Sequence, residues 1–129
     1  GKPLKYTGWG GEGKQVRDIL HIDDLVDLLN LQCARSAKWD ASVFNVGGGP
    51  ENSVSLQELT AICRDVTGNE IEIGSVEETS PVDVRIYVTD TQKVEAAYDW
   101  QPARDVATTA SDVHDWIQSH REQLERVLG

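Results

Sequence analysis

The sequence predicts an α/β domain, and three observations carry the expectation. Extended apolar runs alternate with helical periodicities along the chain, one helix is bracketed by complete start and stop signals, and the composition is that of one globular unit. The chain has 129 residues, of which 39% are hydrophobic and 26% charged. A chain of this size buries a substantial core without disulfide staples.

In chain order, Leu4–Thr7 reads as a short strand that runs into Gly8-Trp9-Gly10-Gly11-Glu12-Gly13, a loop by its glycine content. Residues 17–22 resume an extended, apolar-rich run. Asp23 or Asp24 can cap a helix in which Leu25, Leu28, Leu29, Gln32 and Cys33 recur at three and four, ending near Ser36. Val43-Phe44-Asn45-Val46 is a β-rich run stopped by Gly47-Gly48-Gly49-Pro50. Ser55-Leu56-Gln57-Glu58 is a capping box, after which Leu56, Leu59, Ile62, Cys63 and Val66 keep a helical period until Gly68 closes the helix. Ile71-Glu72-Ile73 alternates as a half-buried strand, and residues 84–88 read as another. Asp90 can cap a short helix through Ala97, ended by Trp100-Gln101-Pro102. A last helix is predicted over 109–128 with Val113, Trp116, Ile117, His120 and Leu124 facing inward.

Charge and apolar runs exclude several classes of function. The net charge of -10 falls entirely on residues 51–129, because residues 1–50 carry six basic and six acidic side chains. That acidity opposes nonspecific binding to nucleic acid or an anionic membrane, and reads otherwise as a solvated surface. No apolar run approaches the roughly 20 residues of a bilayer span. Lys2, Pro3, Lys5 and the glycines stand where a secretory signal would need an apolar stretch, so a cytoplasmic location is expected. Cys33 and Cys63, both on apolar helical faces, are expected to be small buried hydrophobes in a reducing compartment.

Two glycine clusters invite comparison with a dinucleotide-binding turn. Gly8-x-Gly10-x-x-Gly13 has the spacing, but Lys14-Gln15-Val16-Arg17-Asp18-Ile19-Leu20 follows it and contains no amphipathic helix. Gly47-x-Gly49 lies between a strand and a helix, but Asn52 occupies the third glycine position and Pro50 disturbs the turn. His21, His114 and His120 are dispersed and neither cysteine forms a Cys-x-x-Cys unit, so no metal site is expected. There is no Gly-x-Ser-x-Gly elbow, and none of Tyr6, Tyr87 and Tyr98 has a lysine four residues later. No catalytic and no cofactor-binding residue is assigned within the chain.

Anion-binding capacity concentrates in Lys14-Gln15-Val16-Arg17-Asp18. A glycine-rich loop exposes backbone N–H groups, the Arg17 fork suits two phosphate oxygens, and an adjacent carboxylate can hold that fork in place. The alternative is an ordinary surface ion pair between Arg17 and Asp18.

The order of segments resembles a known family. Lys2-Pro3-Leu4, Gly13-Lys14-Gln15-Val16-Arg17-Asp18-Ile19-Leu20-His21-Ile22-Asp23-Asp24-Leu25, Val43-Phe44-Asn45-Val46-Gly47-Gly48-Gly49, Asn52-Ser53-Val54-Ser55-Leu56, 83–90 (Asp-Val-Arg-Ile-Tyr-Val-Thr-Asp) and Trp100-Gln101-Pro102 follow one another as in the C-terminal part of the NAD-dependent nucleotide-sugar epimerases and dehydratases, the extended short-chain dehydrogenases. The Lys-Gln-Val-Arg-Asp and Asn-Ser-Val-Ser-Leu segments look most like the branch that epimerises CDP-sugars at C2. The resemblance implies that residues 1–129 form one C-terminal substrate-binding piece, with strands that complete the Rossmann sheet of an N-terminal NAD-binding domain lying outside them. That domain would carry NAD and the Tyr-x-x-x-Lys pair, oxidising the sugar transiently and returning hydride from the opposite face.

By the same implication Arg17 contacts the diphosphate of a nucleotide sugar, Asn45 is a second candidate for that contact, and Asp83 reaches toward the ribose or phosphate. Gln15 and Arg85 complete the candidate set. The alternatives are a strand-end turn residue for Asn45 and a loop carboxylate paired with Arg85 for Asp83. Relatives commonly carry an arginine where Ser80 stands and often a glycine where Asp99 stands, and the glycine-rich insert Trp9–Glu12 is longer than in most of them, an insert expected to reshape the loop over the substrate. Nothing in the chain selects cytidine over uridine or thymidine. The piece alone is expected to be inactive and to self-associate through apolar surface, and the intact enzyme to be a homodimer. Two rival functions remain: a stand-alone nucleotide- or protein-binding module without turnover, and part of a nucleotide-sugar dehydratase or decarboxylase.

Overall fold

The structure, a computed structural model, describes residues 3–128; Lys2 of the first resembling segment lies outside the described residues. Five short strands and five helices follow one another as β1 (Leu4–Thr7), β2 (Val16–Asp18), α1 (Ile22–Ala34), β3 (Ser53–Ser55), α2 (Leu56–Thr67), β4 (Ile73–Val76), β5 (Ile86–Tyr87), α3 (Gln92–Tyr98), α4 (Val106–Ser119) and α5 (Arg121–Leu128). The α/β class is therefore observed. The strands form two small sheets: β1 pairs parallel with β4, and β2 lies between antiparallel β3 and parallel β5.

Where the signals are local, structure follows sequence closely. Ser55 Oγ accepts from the Glu58 N–H at 3.1 Å and Glu58 Oε2 accepts from the Ser55 N–H at 2.7 Å, which is the reciprocal capping box. Gly68 ends α2 in the left-handed region, at φ 67°. Asp99 ends α3 in the same region at φ 52°, a conformation that glycine adopts at lower cost.

Other expectations need correction. The cap of α1 is His21 rather than Asp23 or Asp24, its Nδ1 accepting from the Asp23 N–H at 3.0 Å. Residues 43–46 form no strand, and no described strand pairs with them. The strand expected at 71–73 begins at Ile73, and that at 84–88 shortens to two residues. The residue before α3 is Thr91, while Asp90 accepts from the Gln92 N–H. Asp105 caps a helix that starts earlier than expected, at Val106, and the predicted long helix breaks at His120. There the imidazole stacks on Trp116 at 4.5 Å and its Nδ1 lies 2.8 Å from the Trp116 carbonyl oxygen.

The core gathers Leu28 of α1, Val94 and Tyr98 of α3, and Trp100, with Leu20, Leu31, Phe44, Val46 and Ala97 packed around them. Phe44 meets Tyr98 edge to face at 5.6 Å between centroids. An ion pair between buried Asp24 and half-buried Arg104 ties the start of α1 to the approach to α4: Asp24 accepts from Arg104 Nη1 at 2.6 Å and from the Arg104 backbone N–H at 3.1 Å. Cys33 and Cys63 are exposed, not buried. Leu29, Val113, Trp116 and Ile117 are exposed as well, so their periodicity marks apolar faces that no described element covers. Ile22 and Val26 extend the uncovered stripe on α1.

Candidate functional site

Strand alternation on β2 divides its two charged residues between opposite faces. Asp18 turns to the second glycine cluster, where its carboxylate accepts from the Gly49 N–H at 3.1 Å and from Thr89. Burial opposes ionisation of Asp18, but those hydrogen bonds outweigh it and hold the carboxyl below the ordinary range. Arg17 turns the other way, into a cavity of about 540 Å³ lined also by Lys5, Thr7, Gly8, Gln15, Ser80, Val82 and Asp83.

The carboxylate that holds the Arg17 fork is thus Asp83, not the adjacent Asp18. Arg17 Nη2 meets Asp83 Oδ1 at 3.3 Å, and Nη1 donates to the Val16 carbonyl at 2.7 Å. Asp83 itself sits after a turn in which its N–H donates to the Ser80 carbonyl at 3.0 Å. It pairs with Arg17 rather than with Arg85, whose guanidinium lies 5.7 Å from the centroid of the Trp9 ring. The Trp9 indole N–H donates to Asp83 Oδ2 at 2.9 Å. Gln15, 5% exposed, donates from Nε2 to the Thr7 carbonyl at 2.6 Å, and its Oε1 is buried without a hydrogen-bond partner.

Backbone donors are less available here than the glycine content implies. The Leu56 and Gln57 N–H groups at the start of α2 donate to the carbonyls of Gln15 and Gly13, and the Glu58 N–H donates to Ser55 Oγ. The leading amides of α2 are therefore occupied, and the anion-binding capacity of the cavity rests on the Arg17 guanidinium with Lys5 at its edge.

Of the sequence-predicted residues, the fold brings Arg17, Gln15 and Asp83 into one cavity. The Arg85 side chain lies on Trp9 outside that lining, and its carbonyl accepts from the Val16 N–H at 2.9 Å. Asn45 is exposed, lies outside any strand or helix and does not line the cavity. Sequence reasoning placed Trp9 in an insert near the substrate but missed its own contact with Asp83. A tryptophan within a glycine run was the available signal, but its partner lies 74 residues away.

Neither glycine cluster fits a dinucleotide. The first leads into β2 rather than a helix, and the second leads through a single turn at Pro50–Asn52 into β3. A Cβ on Gly47 would lie within 3.0 Å of Asp18 Oδ2 and Thr89 Oγ1, and one on Gly48 within 3.0 Å of the Ile19 carbonyl. Close packing against the Asp18 and Thr89 side chains therefore explains Gly47, and close packing against the Ile19 backbone explains Gly48. Among the described residues no group of three or more His, Cys, Asp or Glu side chains is placed to hold a metal, and no helix is long and apolar enough to cross a membrane.

No protein-family model matches the chain. Among curated proteins it is 33% identical to CDP-paratose 2-epimerase of Salmonella typhi over 92% of this chain and 34% of that protein. It is 30% identical to dTDP-glucose 4,6-dehydratase of Streptomyces griseus over 92% of this chain and 35% of that protein. The chain thus spans about a third of the length of these relatives. Among solved structures, UDP-glucuronic acid 4-epimerase from Bacillus cereus, in complex with UDP-glucuronic acid and NAD, superposes with a TM-score of 0.77 at 19% identity, over 92% of this chain and 36% of that one. That likeness establishes the shared fold.

Proposed function

We infer the function from one premise: the chain belongs to the extended short-chain dehydrogenase family of NAD-dependent nucleotide-sugar epimerases and dehydratases. The chain is the C-terminal, nucleotide-diphosphate-binding portion of such an enzyme. The CDP-sugar 2-epimerases, the CDP-paratose or CDP-tyvelose branch, are the substrate class that the 33% identity favours. The observation that carries the reading is the Arg17 guanidinium, held by Asp83 at the wall of a cavity large enough for a ligand.

In this reading Arg17 grips the diphosphate through its planar fork, and Ser80 supplies one neutral hydrogen bond where relatives place a second cation. Gln15 holds the end of β1 through Thr7, fixing one wall of the cavity. Asn45 and Arg85 would reach the ligand only after rearrangement, since neither lines the cavity. Binding energy from the nucleotide, away from the reacting carbon, holds the sugar while its stereocentre changes. The residues described do not fit NAD, so the redox step and its catalytic pair are assigned to sequence outside them, and this portion alone is inactive. The uncovered faces of α1 and α4 are the surfaces through which it joins that sequence or, alone, another copy of itself. A nucleotide-sugar dehydratase is the second reading, favoured by the 30% identity to the Streptomyces enzyme.

The test is calorimetric titration with CDP, UDP and dTDP at low and moderate salt, alongside Arg17→Ala. Binding that weakens with salt and is lost in Arg17→Ala supports the reading, and the preferred base identifies the branch. Binding unaffected by Arg17→Ala refutes it.

A further inference from the structure

We propose that Trp9 is a positioning residue for the anion clamp: its indole N–H occupies one oxygen of Asp83, so that the carboxylate meets Arg17 through the other oxygen alone. The inference rests on the reading of Arg17 as the diphosphate ligand. A carboxylate with both oxygens free takes an arginine in a bidentate pair, which satisfies the same two donors that a phosphate group would use. Here the Arg17–Asp83 contact is a single one of 3.3 Å, while Trp9 Nε1 lies 2.9 Å from the second oxygen. The arrangement keeps Asp83 close enough to orient the guanidinium and prevents it from competing fully with the ligand.

Trp9 is itself held from several directions. Its backbone N–H donates to Thr79 Oγ1 at 2.7 Å, and the preceding Gly8 N–H donates to the Val76 carbonyl at the end of β4 at 2.8 Å. The turn Trp9–Gly11 closes through the Gly11 N–H to the Gly8 carbonyl at 2.9 Å. Gly11, at φ +67°, packs so tightly that a Cβ there would lie within 3.0 Å of Ser75 Oγ. The Trp9 ring also carries the Arg85 guanidinium on its face, and that cation forms no ion pair with the Asp83 carboxylate. Trp9 thus holds one oxygen of Asp83 by its indole N–H and the Arg85 guanidinium on its face, and leaves Asp83 paired to Arg17 by a single contact.

The test is a double-substitution cycle of Trp9→Phe and Asp83→Asn, read as CDP affinity by calorimetry on the intact protein. Phenylalanine keeps a ring under Arg85 and removes the N–H donor. Trp9→Phe is expected to weaken CDP binding about three- to tenfold, the worth of one hydrogen bond. In the Asp83→Asn background it should change affinity by less than about twofold, because a neutral amide cannot form the competing ion pair. A general loosening of the loop would not depend on the charge at Asp83. Unchanged CDP affinity in Trp9→Phe, or an equal loss in both backgrounds, overturns the proposal while loss of binding in Arg17→Ala leaves the parent reading standing. Retention of CDP binding in Arg17→Ala overturns both.

Discussion

Replacing Leu28 and, separately, Leu29 by alanine tests which face of α1 the fold uses. Both leucines lie on the apolar pattern of the helix, yet Leu28 is 1% exposed and Leu29 49%. Each substitution removes three carbons. At about 0.8 kcal/mol per buried carbon the transfer term for Leu28 is roughly 2.4 kcal/mol. A cavity left among Val94, Tyr98 and Trp100 adds to it, giving about 3–4 kcal/mol, within the range seen for buried Leu→Ala changes. Leu29 is about half in water already and leaves no enclosed void, so its loss is about 1 kcal/mol. Urea unfolding followed by far-ultraviolet circular dichroism measures both, and thermal scans should show Leu28→Ala lowered by roughly 12 °C or more. Equal destabilisation by the two substitutions at low protein concentration would refute the reasoning, since it would mean that the α1 stripe is covered in the folded chain.

Two further expectations follow from the end of β2. Gly48→Ala places a Cβ against the Ile19 carbonyl and the Asn52 side chain, and should cost about 2–3 kcal/mol by overpacking, seen as a lower urea midpoint at unchanged slope. Because the folded carboxyl of Asp18 is held below its ordinary value, it contributes stability above the unfolded pKa of about 3.9, lost as pH falls through the folded value. The stability gap between the native chain and Asp18→Asn should therefore be widest near neutrality and close in acid, and a gap independent of pH would refute that role.

Much of the candidate site was legible in the sequence because its parts are chemically distinctive. An arginine in an extended run after a glycine-rich loop marked Arg17, and the order of short segments marked Asp83 and Gln15. The pairing among them was not legible. Asp18 is adjacent to Arg17 in sequence yet points to the opposite face, whereas Asp83, 66 residues away, arrives through the β2–β5 pairing. The contact of Trp9 with Asp83 was not legible for the same reason, since it depends on where Asp83 lies. The second glycine cluster did not announce its packing role: spacing alone resembled a nucleotide turn, while the structure sets Gly47 against the Asp18 and Thr89 side chains and Gly48 against the Ile19 backbone.

The sequence by itself determined what short range controls: the α2 helix between its capping box and Gly68, the one-sided distribution of charge, and the family through its ordered segments. Only the tertiary structure decided which apolar faces are covered, which residue caps α1, where the last helix breaks and which carboxylate holds Arg17. Periodicity and capping are properties of a few neighbouring residues, whose spacing is fixed by the helix or strand itself. Burial and ion pairing depend on what another part of the chain brings to the same place, and no local pattern encodes that partner.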